Sequence, residues 1–204
     1  MIVVSGLTAC LAHYAAQSRH ENLPSAVHHE AGRAMLNWLG VAIGGCGEEA
    51  ARLAAQMVVA RRSAPQASLI GQGARSDPAS AALVNCIASS VLAFDDAHLP
   101  SVAHPSGPAA SALFALAQTE RVSGREFVNA LALGIELQCR IGNMLVLPPG
   151  PIDPRFYING ISGPVGVAAA AARMLGLDEQ RIGWAMGIAA SQASGFRAVH
   201  GTMT

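Results

Sequence analysis

The sequence has 204 residues, 51% of them apolar and 13% charged, a balance that excludes a disordered chain and suits one large domain with a buried core. Thirteen basic residues offset thirteen acidic ones, so neither nucleic acid nor an anionic membrane surface is expected as a partner. Every basic residue is arginine, which excludes a lysine nucleophile or Schiff base from these residues.

Alanine is abundant, β-branched runs are short, and apolar spacing is mostly helical. Ser25, after Leu23-Pro24, fits an N-cap, and Val27, Ala31, Met35 and Leu39 then fall four apart on one face, with Ala34 and Trp38 beside them. Gly44-Gly45 suits the end of that helix. Glu48-Glu49 open a second helix to about Ala60, where Arg61-Arg62 complement the dipole. Ala67 to Ile70, before Gly71-Gln72-Gly73, is the only short extended piece. Asp77-Pro78 pairs an N-cap with proline at the first helical position, for a helix through Ala81, Val84, Ala88 and Val91. A polar loop from Phe94 to Gly107 follows, then a helix from Ala109 to Gln118. Ser123 and Glu126 have capping-box spacing, for a helix to about Ile141. Leu147-Pro148-Pro149-Gly150-Pro151 reads as a loop, Gly163 to Leu177 as a small-residue helix, and Asp178 as the cap of a last helix through Ala190. The fold class is therefore all-α, with seven or eight helices, no convincing sheet and no internal repeat.

Cys10, Cys46, Cys86 and Cys139 lie far apart, without CxxC or Cys/His ligand spacing, and read as buried free thiols. Reduced thiols, and a start (Met1 to Ala16) lacking a basic segment, lead to an expected cytoplasmic location. No apolar run reaches the length of a membrane span.

Chemistry concentrates on Phe94-Asp95-Asp96-Ala97-His98-Leu99-Pro100-Ser101-Val102-Ala103-His104-Pro105-Ser106, where two acids and two histidines sit between nearly uncharged helices. The same residues read equally as turn-forming acids and solvated histidines, and a divalent-ion site of the Asp-Asp-x-His kind is a weaker alternative.

Phe94-Asp95-Asp96, His98-Leu99-Pro100 and His104-Pro105-Ser106 resemble the acidic-loop and His-Pro-Ser signature of the MmgE/PrpD family. The likeness extends in order along nearly the whole chain: Leu23-Pro24 to Leu39-Gly40-Val41, Ser123-Gly124 through Gly134-Ile135-Glu136 to Arg140-Ile141, and Gly163-Pro164-Val165-Gly166 to Leu175-Gly176-Leu177-Asp178. The resemblance implies an enzyme akin to 2-methylcitrate dehydratases, cis-aconitate decarboxylases and iminodisuccinate epimerases. Such enzymes have a large helical domain and a smaller lid domain, form homodimers, and use no metal or organic cofactor. They move a proton or a carboxyl group at carbon next to a carboxylate, which requires a positioned acid/base and groups that hold carboxylates. On that basis His104 is the expected general acid/base, because an imidazole titrates near neutral pH. Asp95 and Asp96 would orient it or tune it by their charge, and Ser106 would donate to a substrate carboxylate or cap the next helix. His98 is a further candidate at the substrate.

Several positions depart from the family pattern. Ala93 stands where an acid usually precedes Phe-Asp-Asp, Ala97 where threonine is frequent, and Tyr157 where a histidine is common. Tyr157 can donate a hydrogen bond or act as an acid, but a phenol is a poor base at neutral pH, and it reads equally as a half-buried aromatic at the start of a helix. Family members are longer, and the lid domain and a lysine expected after Gly201-Thr202-Met203-Thr204 would lie beyond these residues. The expectation is thus the N-terminal part of a helical domain over residues 1–204, inactive in isolation, acting on a small di- or tricarboxylate once completed. The alternative is a helical module that has lost catalysis and completes an assembly.

Overall fold

A computed structural model describes residues 6–148, 151–153 and 155–199. Among them are eight α-helices: α1 (Leu7–Gln17), α2 (Ser25–Gly45), α3 (Glu49–Ala60), α4 (Pro78–Ser90), α5 (Ser106–Leu116), α6 (Gly124–Val146), α7 (Ile158–Met174) and α8 (Glu179–Gln192). Single 3-10 turns occur at His20–Asn22 and Arg197–Val199. Helices α5, α6 and α7 form the centre, joined by α2 through Trp38, Leu113, Leu131 and Ala170. Trp38 is fully buried, its indole N–H donating to Ser111 Oγ at 2.9 Å. Helices α1 and α8 close one side through Ala15, Leu137, Ala169, Ile182 and Met186. Helices α3 and α4 close another through Ala55, Val58, Val84 and Ala115.

Local capping chemistry sets several boundaries as expected. Asp77 accepts from the Ser80 amide, Asp178 accepts from the Arg181 amide, and Ser123 and Glu126 form a complete capping box. Other boundaries differ. Pro24, not Ser25, precedes the first turn of α2, which has no side-chain cap, and α2 ends through Cys46 in right-handed geometry rather than on a left-handed glycine. Helix α1 lacked a sequence signal. The expected extended piece is one arm of an antiparallel hairpin, β1 (Ala67–Leu69) with β2 (Ala74–Ser76), so a small sheet does exist. Fully buried Asn85 holds that hairpin, donating to the Ser68 carbonyl and accepting from the Ile70 amide.

The largest revision is α7, which starts at Ile158 and runs straight through Pro164. Proline cannot donate to the carbonyl four residues back. That carbonyl, on Gly160, instead accepts from the Ser194 amide at 3.1 Å. The tail after α8 thereby docks on the start of α7, and Tyr157 N–H donates to the Gly195 carbonyl at 3.0 Å.

All four cysteines are free, but the expectation of buried thiols holds only in part: Cys10 is exposed and the other three are half-buried. Large apolar side chains stand exposed on α2 (Leu36, Ile43) and α8 (Trp184, Ile188). Among the described residues no helix is long and apolar enough to cross a membrane. The Pro149-Gly150 portion of the proline-rich loop and the Gly201–Thr204 stretch lie outside the described residues.

Candidate active site

The loop between α4 and α5 departs from Ser90 and turns at Ala93, whose φ is +54°. Asn37 of α2 holds the turn by donating from Nδ2 to the Phe94 carbonyl at 3.1 Å. The chain then doubles back on itself. His98 N–H donates to the Ala103 carbonyl at 2.8 Å, Ala103 N–H returns the bond at 3.3 Å, and Val102 between them has a φ of +52°. Left-handed geometry at a β-branched residue costs about 1–2 kcal/mol and persists only where surrounding contacts impose it. Those contacts include Ser101, fully buried against Gly142 of α6, whose Oγ lies 2.7 Å from His98 Nδ1.

The two aspartates face different partners. Asp96 Oδ1 accepts from the Ser106 hydroxyl at 2.6 Å and from the Ser106 amide at 3.2 Å. Its carboxylate thus meets the N-terminus of α5, where the helix dipole favours negative charge. Ser106 itself is fully buried and commits its hydroxyl to Asp96; the side chain that caps α5 is the aspartate. Asp95 lies beneath His104, its carboxylate only 6% exposed and Oδ1 3.5 Å from His104 Nδ1.

His104 is held at three points. Its backbone N–H donates to Asn159 Oδ1 at 2.8 Å. Its Nδ1 lies 2.9 Å from the Asp96 carbonyl oxygen, with the Asp95 carboxylate on the same side. A carbonyl oxygen only accepts, so Nδ1 carries the proton and a neutral ring presents the Nε2 lone pair. Nε2 makes no hydrogen bond among the described residues, and the side chain is 29% exposed. This is the arrangement of a general base whose protonated form would be supported by a buried carboxylate.

Tyr157, immediately before α7, belongs to the same group. Its Oη accepts from Asn159 Nδ2 at 2.9 Å. Burial pushes its phenol up, the Asn159 hydrogen bond opposes this, and the charges of Asp95 and Cys86 add to the rise. Burial also pushes the Cys86 thiol up to about 11, against a Ser111 hydrogen bond and with a further contribution from Asp95. Asp95, Cys86 and Tyr157 are therefore close enough to feel one another's charge.

A cavity of about 950 Å³ lies on α2 and α6, lined by Asp96, Ala97, His98, Glu30, Asn37 and Glu136 among others. His104, Asp95 and Tyr157 are not among its lining residues. The structure therefore brings together His104, Asp95 and Tyr157, and places His98 at the cavity instead. No group of three His, Cys, Asp or Glu side chains among the described residues is arranged to hold a metal ion, which leaves the divalent-ion alternative without a ligand set there. Two residues absent from the sequence expectations help to build the site. Asn159 bridges His104 and Tyr157. Fully buried Gln138 of α6 donates to the Pro105 carbonyl at 3.0 Å, next to His104. Their only sequence signal is an amide side chain within a small-residue or apolar helix.

An all-α domain carrying a loop-borne histidine over a buried aspartate falls, by sequence comparison, in a class of helical enzyme domains. The model of the MmgE/PrpD N-terminal domain matches residues 9–204, and the chain belongs to the MmgE/PrpD family. Relatives include the human cis-aconitate decarboxylase, 32% identical over 177 residues, which cover 84% of this chain and 36% of the relative. The mouse cis-aconitate decarboxylase is 34% identical over 166 residues, covering 79% and 34%. A cis-aconitate decarboxylase of Aspergillus terreus is 26% identical over 196 residues, covering 94% and 40%. The chain thus spans between about a third and two fifths of the length of these curated relatives.

Proposed function

We propose that this chain supplies the acid/base wall of a cofactor-independent enzyme that moves a proton at the carbon next to a carboxylate of a small di- or tricarboxylic acid. Dehydration, decarboxylation and epimerisation all share that step. The observation that carries the reading is the fixed tautomer of His104, with Nδ1–H on the Asp96 carbonyl, Asp95 beneath, and Nε2 left for the substrate. In this scheme Nε2 takes the proton, Asp95 stabilises the imidazolium that forms, and Tyr157 serves as donor rather than base. Asp96 and Ser106 hold the loop to α5, and His98 meets the substrate or its neighbours from the cavity side. The exposed apolar faces of α2 and α8 support further polypeptide, or a second copy as in a homodimer, as the cover that completes the site.

The reading is tested by ¹H NMR in deuterated buffer. The complete gene product is incubated with a panel of di- and tricarboxylates of four to seven carbons. Deuterium uptake, or loss of water or CO₂, from one acid supports the enzyme and names its substrate. No change in any acid, from a folded and complete assembly, favours a non-catalytic helical module.

A further inference from the structure

We propose that His98 is a hydrogen-bond donor to a carboxylate oxygen of the acid bound in the cavity on α2 and α6, and that Ser101 is the positioning residue that makes it one. The inference rests on the proposed proton-transfer reading and deepens it.

One buried hydroxyl decides the tautomer. Ser101 is fully buried, and its Oγ lies 2.7 Å from His98 Nδ1. The hydroxyl makes no other hydrogen bond among the described residues. Were the ring proton on Nδ1, Ser101 would have to accept it, and its own hydrogen would be buried without an acceptor, which is costly. With the hydroxyl donating, both groups are satisfied: Nδ1 accepts, and the neutral ring carries its proton on Nε2. His104 holds the opposite tautomer, with Nδ1–H on the Asp96 carbonyl. The same loop therefore presents a lone pair from His104 and an N–H from His98.

The frame around His98 is fixed on both sides. Its backbone exchanges two hydrogen bonds with Ala103, and Ser101 N–H donates to the His98 carbonyl at 3.2 Å. Ser101 is seated where α6 has no side chain: a Cβ added at Gly142 would lie 2.8 Å from Ser101 Cβ and 2.9 Å from its Oγ. Left-handed Val102 follows directly, so the strained turn keeps the hydroxyl under the imidazole. Half-buried His98 lines the cavity, and its Nε2 makes no hydrogen bond among the described residues. The acids of the lining are committed elsewhere, Glu30 to Arg33, Glu136 to Arg140 and Asp96 to Ser106. The cavity, at about 950 Å³, has room for a small di- or tricarboxylate. A carboxylate oxygen only accepts, which makes it the complement of a fixed N–H.

The test reads the ring directly, in the complete gene product with ¹⁵N-labelled histidine. Long-range ¹H–¹⁵N correlation at pH 8, above the ordinary imidazole range, shows which nitrogen carries the proton. The His98 signals are those that vanish in His98→Gln. We expect the proton on Nε2, an Nδ1 that accepts a hydrogen bond, and a shift of Nδ1 toward a bare lone pair in Ser101→Ala. A proton on Nδ1, or an Nδ1 signal that Ser101→Ala leaves in place, overturns the proposal. Succinate, citrate and any acid identified by solvent exchange are then added in turn. At least one should move the His98 Nε2–H signal; no movement with any of them overturns the donor role. In turnover, His98→Phe should raise KM about tenfold or more with a smaller change in kcat, and His98→Gln, which keeps an N–H donor, should recover most of that loss. An unchanged KM in His98→Phe, or equal losses in both variants, refutes the donor role. If the unsubstituted protein turns over nothing, the enzyme reading fails, while the ring signals still decide the tautomer and the contact with added acid.

Discussion

The close packing of α7 on α6 gives a stability prediction independent of any activity. A Cβ added at Gly166 of α7 would lie 2.6 Å from Gln138 Cγ, 2.9 Å from the Gly134 carbonyl oxygen and 3.0 Å from the Gln138 amide nitrogen. Two of those atoms belong to the α6 backbone, so neither can swing aside; α6 and α7 would have to separate. Gly→Ala inside a helix ordinarily gains about 1 kcal/mol. Overpacking a well-filled contact costs about 1–3 kcal/mol or more, and a backbone collision belongs at the upper end. Gly166→Ala should therefore destabilise by about 2 kcal/mol net. Gly187→Ala in α8 is the control, because nothing lies within 4 Å of its added Cβ and only the propensity gain remains. For a domain of this size roughly 1 kcal/mol moves Tm by about 2–4 °C, so the two variants should move it in opposite directions. Urea denaturation read by circular dichroism gives both values. A Gly166→Ala variant as stable as Gly187→Ala would refute the close α6–α7 contact, and with it the account of how Gln138 reaches Pro105.

Ser106→Ala removes a buried hydroxyl from the Asp96 carboxylate; with Asp96 half-buried, the loss should be about 1–2 kcal/mol in urea denaturation, and a neutral result would contradict the loop anchor. Because the Tyr157 phenol lies above its ordinary value near 10, it stays protonated as pH rises through the working range, so Tyr157→Phe should lower kcat without moving either limb of the pH–rate profile below about pH 9. Disappearance of an alkaline limb in that variant would show instead that Tyr157 titrates. Burial holds the Cys86 and Cys139 thiols at about 11, leaving about one in a thousand as thiolate at pH 8, so iodoacetamide should label exposed Cys10 far faster, as peptide mass mapping would show.

What the sequence disclosed follows from where the determining contacts lie. Asp77, Ser123 with Glu126, and Asp178 could be read because each cap is satisfied within three residues. The start of α7 could not, since the partner that rescues the Gly160 carbonyl from Pro164 is Ser194, beyond the following helix. The hairpin was half visible for a similar reason, its edge being satisfied by Asn85 from α4. At the site, Asp95, Asp96 and His104 stood out by charge against an apolar background. Their division of labour did not: only the folded loop shows that Asp96 caps α5 while Asp95 faces the imidazole. Asn159 and Gln138 gain importance from tertiary neighbours alone, and neither residue type at its spacing announces chemistry.

The most direct test of the central claim is solvent exchange with and without the histidine. In deuterated buffer, the complete protein should wash deuterium into the carbon next to a carboxylate of its substrate, followed by ¹H NMR. His104→Ala should slow that exchange by about 10²–10⁴-fold while its circular dichroism and urea midpoint stay close to those of the unsubstituted protein. Exchange within about twofold of the original rate, in a folded His104→Ala protein, would remove His104 from the proton transfer and contradict the account.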